Sequence, residues 1–215
     1  MPPAQIPLDL PHRLALGRDD FLVAPSNESA VAWIDRWPDW PFVILVLHGP
    51  AGSGKSHLAQ VWRAKSGAST DVNAGVNAVL VDDAAMAAGD KMLEEGLFHL
   101  IERAKARGGK LLLTGREPPS RWNLRLADLR SRLNAAMVVA IEAPDDALLA
   151  GVALKLFADR QLEVGVDALD ALLTRVERSV DGVARAVEAI DRAALAAKRR
   201  VTAQLVRDVL KPREA

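Results

Sequence analysis

A continuous apolar run, Phe42 to His48, leads straight into Gly49-Pro50-Ala51-Gly52-Ser53-Gly54-Lys55-Ser56, and a helix-forming stretch to Lys65 follows. This junction constrains the fold more than any other part of the chain. A partly β-branched run without polar alternation fits a strand buried on both faces, as in a parallel sheet. The octapeptide satisfies G-x-x-x-x-G-K-[ST] at every position. Its glycines let the backbone wrap so that N–H groups point inward at phosphate oxygens. The helix behind it adds the positive end of its dipole. Lys55 brings a point charge to the β and γ phosphates, and the Ser56 hydroxyl is a ligand for Mg²⁺. A chance Gly-rich turn would have no reason to sit between a buried strand and a helix.

Further strands are predicted at 78–81, 110–114 and 137–141, with helices over 26–37, 56–65 and 90–107. Ser26 or Asn27 is the expected N-cap of the first helix, and Trp37-Pro38-Asp39-Trp40-Pro41 ends it. Met92, Leu93, Leu97, Leu100 and Ile101 are expected on one side of the third. Strands alternating with helices predict an α/β fold: a phosphate-loop parallel sheet with helices on both faces. After Pro144 no strand-like run remains, and helices are predicted over 145–159, 167–178, 183–198 and 202–210. The expected division is an extended arm over 1–20, an α/β nucleotide domain over 21–144 and a small all-helical domain over 145–215.

The strand at 78–81 ends in Asp82 and Asp83. In a phosphate-loop protein such a strand lies near the loop, so Asp82 is the candidate to hold Mg²⁺ together with Ser56. Asp83 is the candidate to orient an attacking water. As plain turn residues, both could instead cap the segment that follows.

Composition narrows the remaining classes. Lys plus Arg and Asp plus Glu each number 28, so no global field draws the chain to nucleic acid or membrane. There is no cysteine, which removes disulfides and thiolate chemistry. The chain opens Met-Pro-Pro with no basic start, and its longest apolar run is too short to cross a bilayer. A cytoplasmic protein without a membrane partner is expected. The Lys198-Arg199-Arg200 triplet reads as a solvated helix end, and Trp33, Trp37 and Trp40 as packing. His48 and His57 flank the loop and read as packing or surface groups.

At this point the motifs resemble the AAA+ ATPases of the DnaA initiator clade, over nearly the whole chain. Phe21-Leu22-Val23-Ala24-Pro25-Ser26-Asn27 resembles the family's adenine-side segment. Leu112-Leu113-Thr114-Gly115 resembles its sensor-1 strand, and Asp128-Leu129-Arg130-Ser131-Arg132-Leu133 its arginine-finger box. The resemblance implies ADP or ATP as ligand, with Mg²⁺. It implies nucleotide contacts from Phe21, Val23, Asn27, Gly49, Pro50, Ala51, Gly52, Ser53, Gly54, Lys55, Ser56, His57 and Asp82. It makes Arg132 the finger, a fixed cationic fork reaching a neighbouring subunit's γ-phosphate. Gln5-Ile6-Pro7-Leu8-Asp9-Leu10 resembles the sliding-clamp-binding peptide of the family, which implies clamp contacts from Gln5, Ile6, Leu8 and Leu10.

Two positions depart from the family. Arg116 and then Glu117 stand where the sensor-1 Asp is expected, and Asp181 stands where the lid's sensor-2 arginine is expected. Arg178 or Arg185 lies within about a helical turn of that position. Intrinsic hydrolysis is therefore expected to be weak or partner-dependent. The implied function is regulatory: promoting hydrolysis of DnaA-bound ATP at the clamp, which inhibits re-initiation of replication. No helix-turn-helix domain follows the lid, so no sequence-specific DNA binding is expected, and the charge balance permits a homodimer. Two other readings share the loop: a helicase loader or other adaptor of the clade, and a small-molecule kinase using Lys55, Ser56 and Asp82.

Overall fold

The computed structural model describes residues 21–71 and 77–210. Four parallel strands, β1 (Ile44–His48), β2 (Ala78–Val81), β3 (Lys110–Gly115) and β4 (Met137–Ala140), form one sheet in the order β2-β3-β1-β4. Registers such as Leu45↔Leu112, Leu80↔Leu112 and Val46↔Val138 fix their alignment.

The continuous apolar strands are explained by the two faces they serve. Leu45, Leu47, Leu80 and Leu112 point to one side, where α1 (Glu28–Asp35) and α2 (Lys55–Ser66) pack with Trp40 and Trp62. Ile44, Val46, Val79, Leu111 and Leu113 point to the other, against α3 (Lys91–Arg107) and α4 (Ala127–Asn134). Alternate residues therefore feed two separate cores, so these apolar positions of β1, β2 and β3 have no solvent-facing side.

A third core stands apart. It joins α5 (Asp146–Asp159), α6 (Val166–Leu173), α7 (Val180–Ala197) and α8 (Ala203–Val209) around Phe157, Leu172, Val187 and Ile190. Asp145, Ser179 and Thr202 cap α5, α7 and α8 by accepting the N–H of Leu148, Gly182 and Leu205.

Several details differ from the sequence expectation: α1 spans only Glu28–Asp35, and α6 ends at Leu173 rather than at 178. Helix α3 turns Met92 and Leu93 outward, 81% and 53% exposed, and buries Glu94, Leu97, Leu100, Ile101 and Ala104 instead. Asn27 precedes α1 but donates no side-chain cap to it. Its Oδ1 accepts the Ala24 N–H at 2.9 Å and its Nδ2 donates to Leu22 O at 2.9 Å, closing the turn before the helix. Helix α7 begins at Val180 rather than Val183, so Asp181 and Gly182 lie inside its first turn.

Candidate functional site

Because the strands run parallel, their carboxyl ends meet on one edge, and the residues that follow are Gly49, Asp82, Arg116 and Ile141. The Gly49 N–H donates to Gly115 O at 3.2 Å, and the Ile141 N–H to His48 O at 2.7 Å. A Cβ on Gly49 would stand 2.0 Å from Ile141 O, so only glycine fits this crossing. Gly52 and Gly54 have φ of 68° and 93°, in the left-handed region that lets the loop curl into the N-terminus of α2. Pro50 and Ala51 form its exposed crest, while Ser53 is buried. Lys55 Nζ folds back over the loop and donates to Gly49 O at 2.7 Å and Pro50 O at 2.6 Å. Burial pulls the Lys55 ammonium below its ordinary pKa, and the nearby Arg116 guanidinium adds to this against Asp82, Asp83 and Asp181. Burial, then Lys55 and Arg121, likewise hold His48 below the usual imidazole range.

Asp82 and Ser56 come together as expected residues of one cluster: Ser56 Oγ donates to Asp82 Oδ1 at 3.4 Å. The buried Thr114 hydroxyl also donates to Asp82 Oδ1 and accepts the Asp83 N–H at 2.8 Å. Asp83 itself sits at φ 49°, ψ 48°, an uncommon backbone state that Asp tolerates better than most residues. Among the described residues, no group of three or more His, Cys, Asp or Glu side chains could hold a metal. The Ser56 hydroxyl and Asp82 carboxylate are hard oxygen donors that suit Mg²⁺, which keeps waters and phosphate oxygens as its other ligands.

Beside the loop lies a cleft of about 290 Å³. Phe21, Leu22 and Asn27 form one wall, the loop residues Gly52 to Gly54 with Ser56 and His57 the floor, and Leu148, Val152, Leu156 and Asp181 the other wall. Phe21 meets the His57 ring edge-on at 5.2 Å and packs next to Gly54. Apolar walls over an N–H-rich floor can take a flat ring at one end and phosphates at the other. Val23 is half-exposed on the adjoining turn and is not part of the cleft lining.

The helical region is fastened directly to this floor. The Val180 N–H donates to Gly52 O at 2.9 Å, and a Cβ on Gly52 would come within 2.3 Å of Ser179 Cβ. Asp181 lines the cleft, whereas both arginines near it are paired elsewhere. Arg178 meets Asp146 at 2.6 Å, and Arg185 meets Glu177 at 2.6 Å. Arg132 lies on α4, away from the cleft lining, half-exposed and 3.0 Å from Glu102 on α3. Gln5, Ile6, Leu8 and Leu10 fall outside the described residues.

Three residues of the site carried no assigned role in the sequence reading. Thr114 joins Asp82 to the Asp83 backbone, and Ser179 joins the helical region to the loop. Ser179 is an N-cap residue type just ahead of a helical period, and that signal could have found the second. Glu94 is the third. It is 1% exposed and accepts N–H bonds from Gly89, Arg125 and Leu126 at 2.7–3.0 Å, tying the start of α3 to the approach to α4. Burial pushes its carboxyl up, but the N–H groups of Leu126, Arg125 and Gly89, with the Arg125 charge, outweigh this and hold it below the ordinary range. A charged residue on the 94, 97, 101, 104 stripe was the available sign.

The sheet order, the phosphate loop and the helical region behind it form a fold shared with solved replication initiators. Residues 151–210 match the family model "Hda, lid domain". The chain is 30% identical over 167 residues to the chromosomal replication initiator protein DnaA of Caulobacter vibrioides (strain NA1000 / CB15N), covering 62% of this chain and 34% of that protein. It thus spans about a third of the length of this curated relative. The fold is similar to domain III of the Thermotoga maritima replication initiation protein DnaA, with TM-score 0.79, 18% identity, and coverage of 92% of this chain and 98% of that one. It is also similar to AMPPCP-bound DnaA from Aquifex aeolicus, with TM-score 0.70, 17% identity, and coverage of 80% and 63%. The chain is thus similar to DnaA-clade AAA+ proteins, and over 151–210 to the lid domain of Hda. Among the described residues no helix is long and apolar enough to cross a membrane.

Proposed function

We propose that this chain is a nucleotide-binding regulator of replication initiation that acts on DnaA at the sliding clamp. The observation that carries the reading is the match of residues 151–210 to the Hda lid, joined to a phosphate-loop cleft. The working units would be the arm at 1–20, the AAA+ domain at 21–144 and the lid at 145–215.

In this reading ADP or ATP lies with its base between Phe21 and Leu148 and its phosphates over Gly49 to Ser56. Lys55 would leave the carbonyls of Gly49 and Pro50 and turn to the phosphates, which offer a full charge in place of two dipoles. Ser56 and Asp82 would hold Mg²⁺, whose charge offsets that of the phosphates. Thr114 would keep Asp82 aimed, and Asp83 would orient a water. The protein's own turnover would be slow, because Asp181 faces the cleft from the lid where a cation would help.

Arg132 serves a different site. It is half-exposed and lies off its own cleft, which suits reach across an interface to ATP bound by DnaA. Gln5, Ile6, Leu8 and Leu10 would hold the clamp, so that the two AAA+ domains meet where replication has just begun. Hydrolysis would leave DnaA with ADP and block a second initiation. The test is a reconstitution with clamp loaded on DNA, ATP-bound DnaA and this protein. Hydrolysis of the DnaA-bound ATP should accelerate, and the acceleration should need both the clamp and residues 1–10. No acceleration, or an acceleration indifferent to both, would overturn the reading.

A further inference from the structure

A second concavity lies at the far end of the lid. It is a groove of about 440 Å³ between the C-terminal end of α7 and the loop that joins α5 to α6. At about 1.5 Å per residue, the 18 residues of α7 place it on the order of 27 Å from the seam at Ser179. Leu162 and Leu195 form apolar ground within it, and Leu195 is 60% exposed. Lys198, Arg199 and Arg200 line it from the α7 side and Glu163 from the loop side. Both walls are held by backbone. The Lys198 and Arg199 N–H groups donate to Leu195 O and Ala194 O at 3.2 and 3.0 Å. The Gln161 and Leu162 N–H groups donate to Ala158 O and Phe157 O at 2.8 and 2.9 Å. Val201 bridges Val164 in parallel, which joins the two walls.

The fold itself makes no use of these cations. Backbone bonds already close the end of α7, so the side chains are not needed to cap it. Other cations nearby are paired: Arg192 meets Glu188 at 2.7 Å, and Arg160 meets Asp191 at 3.6 Å. Lys198, Arg199 and Arg200 are exposed and make no side-chain hydrogen bond or ion pair among the described residues, not even with Glu163. We infer that this groove is a docking site for an acidic linear segment of a partner protein. The segment seats an apolar side chain on Leu162 and Leu195 and sets its carboxylates against Lys198, Arg199 and Arg200, the arginines offering a planar fork to each carboxylate. The inference goes beyond the function proposed above and does not depend on the nucleotide cleft.

Two features select a peptide over a nucleic-acid backbone. The first is the apolar ground. A phosphate strand offers nothing to Leu195, whereas an apolar side chain takes it out of water. The second is the extent of the charge. Duplex DNA presents a continuous line of phosphates, which calls for a broad basic face. Here the three cations are confined to the groove, with Glu163 inside it and Glu188 and Asp191 along α7. Lys plus Arg and Asp plus Glu balance over the whole chain, so the attraction is local. A few carboxylates on a short segment match such a field, and rim charges of this kind steer association and fix orientation. Because the walls are already set by backbone bonds, little order has to be created in the groove on binding.

The experiment is a selection of short random peptides, displayed on phage, against the full chain. The recovered peptides are then titrated by fluorescence anisotropy against the wild type, the pair Arg199→Glu/Arg200→Glu, Leu195→Ala and, as a control on the same helix, Arg192→Ala. Recovered peptides should carry Asp or Glu around an apolar residue. Arg199→Glu/Arg200→Glu should weaken them by about tenfold or more, and Leu195→Ala by about three- to tenfold. Arg192→Ala should bind as the wild type does. All the altered positions are exposed, and unchanged thermal unfolding checks that each variant folds. Arg199→Gln/Arg200→Gln takes the place of the charge reversal if that one does not fold. A selection that yields no peptides, or neutral or basic ones, or peptides bound equally by every variant, would overturn the inference. So would a mixed-sequence DNA duplex that binds the wild type more tightly than any peptide and is indifferent to Leu195→Ala, because the cations would then serve a nucleic acid.

Discussion

At the seam between phosphate loop and lid, backbone approaches backbone; on the α3–α4 face, one arginine leans on one glutamate at the surface. The first region leaves no slack. Gly52 stands where an added Cβ would come within 2.3 Å of Ser179 Cβ, and Val180 closes the seam with a hydrogen bond to Gly52 O. The second is loose: Arg132 and Glu102 are 43% and 38% exposed. A site that is complete within one chain can be built from close, small residues. The role proposed for Arg132 on another molecule needs a reachable side chain, which its weak surface contact allows.

Arg132→Ala pushes this contrast furthest. Its ion pair is a surface pair, so unfolding stability should change by less than about 1 kcal/mol. Stimulation of DnaA-bound ATP hydrolysis should fall by about a thousandfold or more. A stability scan and the reconstituted assay, run on one preparation, measure both. Undiminished stimulation would move the finger to another residue. Gly52→Ala attacks the opposite region. It places a Cβ at φ 68° against Ser179, so it should destabilise by about 2–4 kcal/mol and weaken AMPPCP at least tenfold. Denaturant unfolding and calorimetry check this, and wild-type values would mean that the seam yields.

The same contrast governs what the sequence could reveal. The parallel sheet was legible because Ile44 to Leu47 and Leu111 to Leu113 are apolar at every position, a pattern that needs two covered faces. The loop was legible because its chemistry is written in consecutive residues. Contacts between distant segments were not. Met92 and Leu93 fit an apolar helix face as well as Glu94 does on period alone. The outcome is decided by N–H groups at Arg125 and Leu126, thirty-odd residues away, that claim the carboxylate. The sequence reading started the third lid helix at Val183 and left Gly182 outside it. Gly182 is instead the residue that the first turn of α7 requires, since a Cβ there would meet Glu177 O at 2.5 Å. Asn27 read as a cap and serves the preceding turn, because Ala24 and Leu22 offer its amide a donor and an acceptor.

Glu94→Gln sharpens the comparison from the α3–α4 side, where this buried carboxylate ties α3 to the approach to α4. The substitution keeps the shape, removes the charge and turns one acceptor into a donor facing N–H groups. It should destabilise by about 1–3 kcal/mol. The sign of its pH dependence follows from the depressed carboxyl. The folded state holds this proton less readily than the unfolded chain, so Glu94 stabilises above the ordinary glutamate range and loses that contribution as pH falls through it. Wild type and variant should therefore differ most near neutral pH and converge in acid. Paired unfolding curves at several pH values measure this, and a gap that widens in acid would refute the assignment.

Ser179→Ala should have the smallest effect and separates two ways of holding the seam. The hydroxyl accepts the Gly182 N–H at 2.9 Å, and its loss should cost about 1 kcal/mol as a missing helix cap. The contacts that join lid to loop use other atoms: the Val180 N–H, Gly52 O and Ser179 Cβ. All three survive in alanine. Nucleotide affinity should then stay within about twofold of the wild type, even though Gly52→Ala, on the other side of the same contact, abolishes most of it. A tenfold loss in Ser179→Ala would mean that the side-chain cap, by holding the first turn of α7 in place, fastens the lid and that the backbone bond only follows.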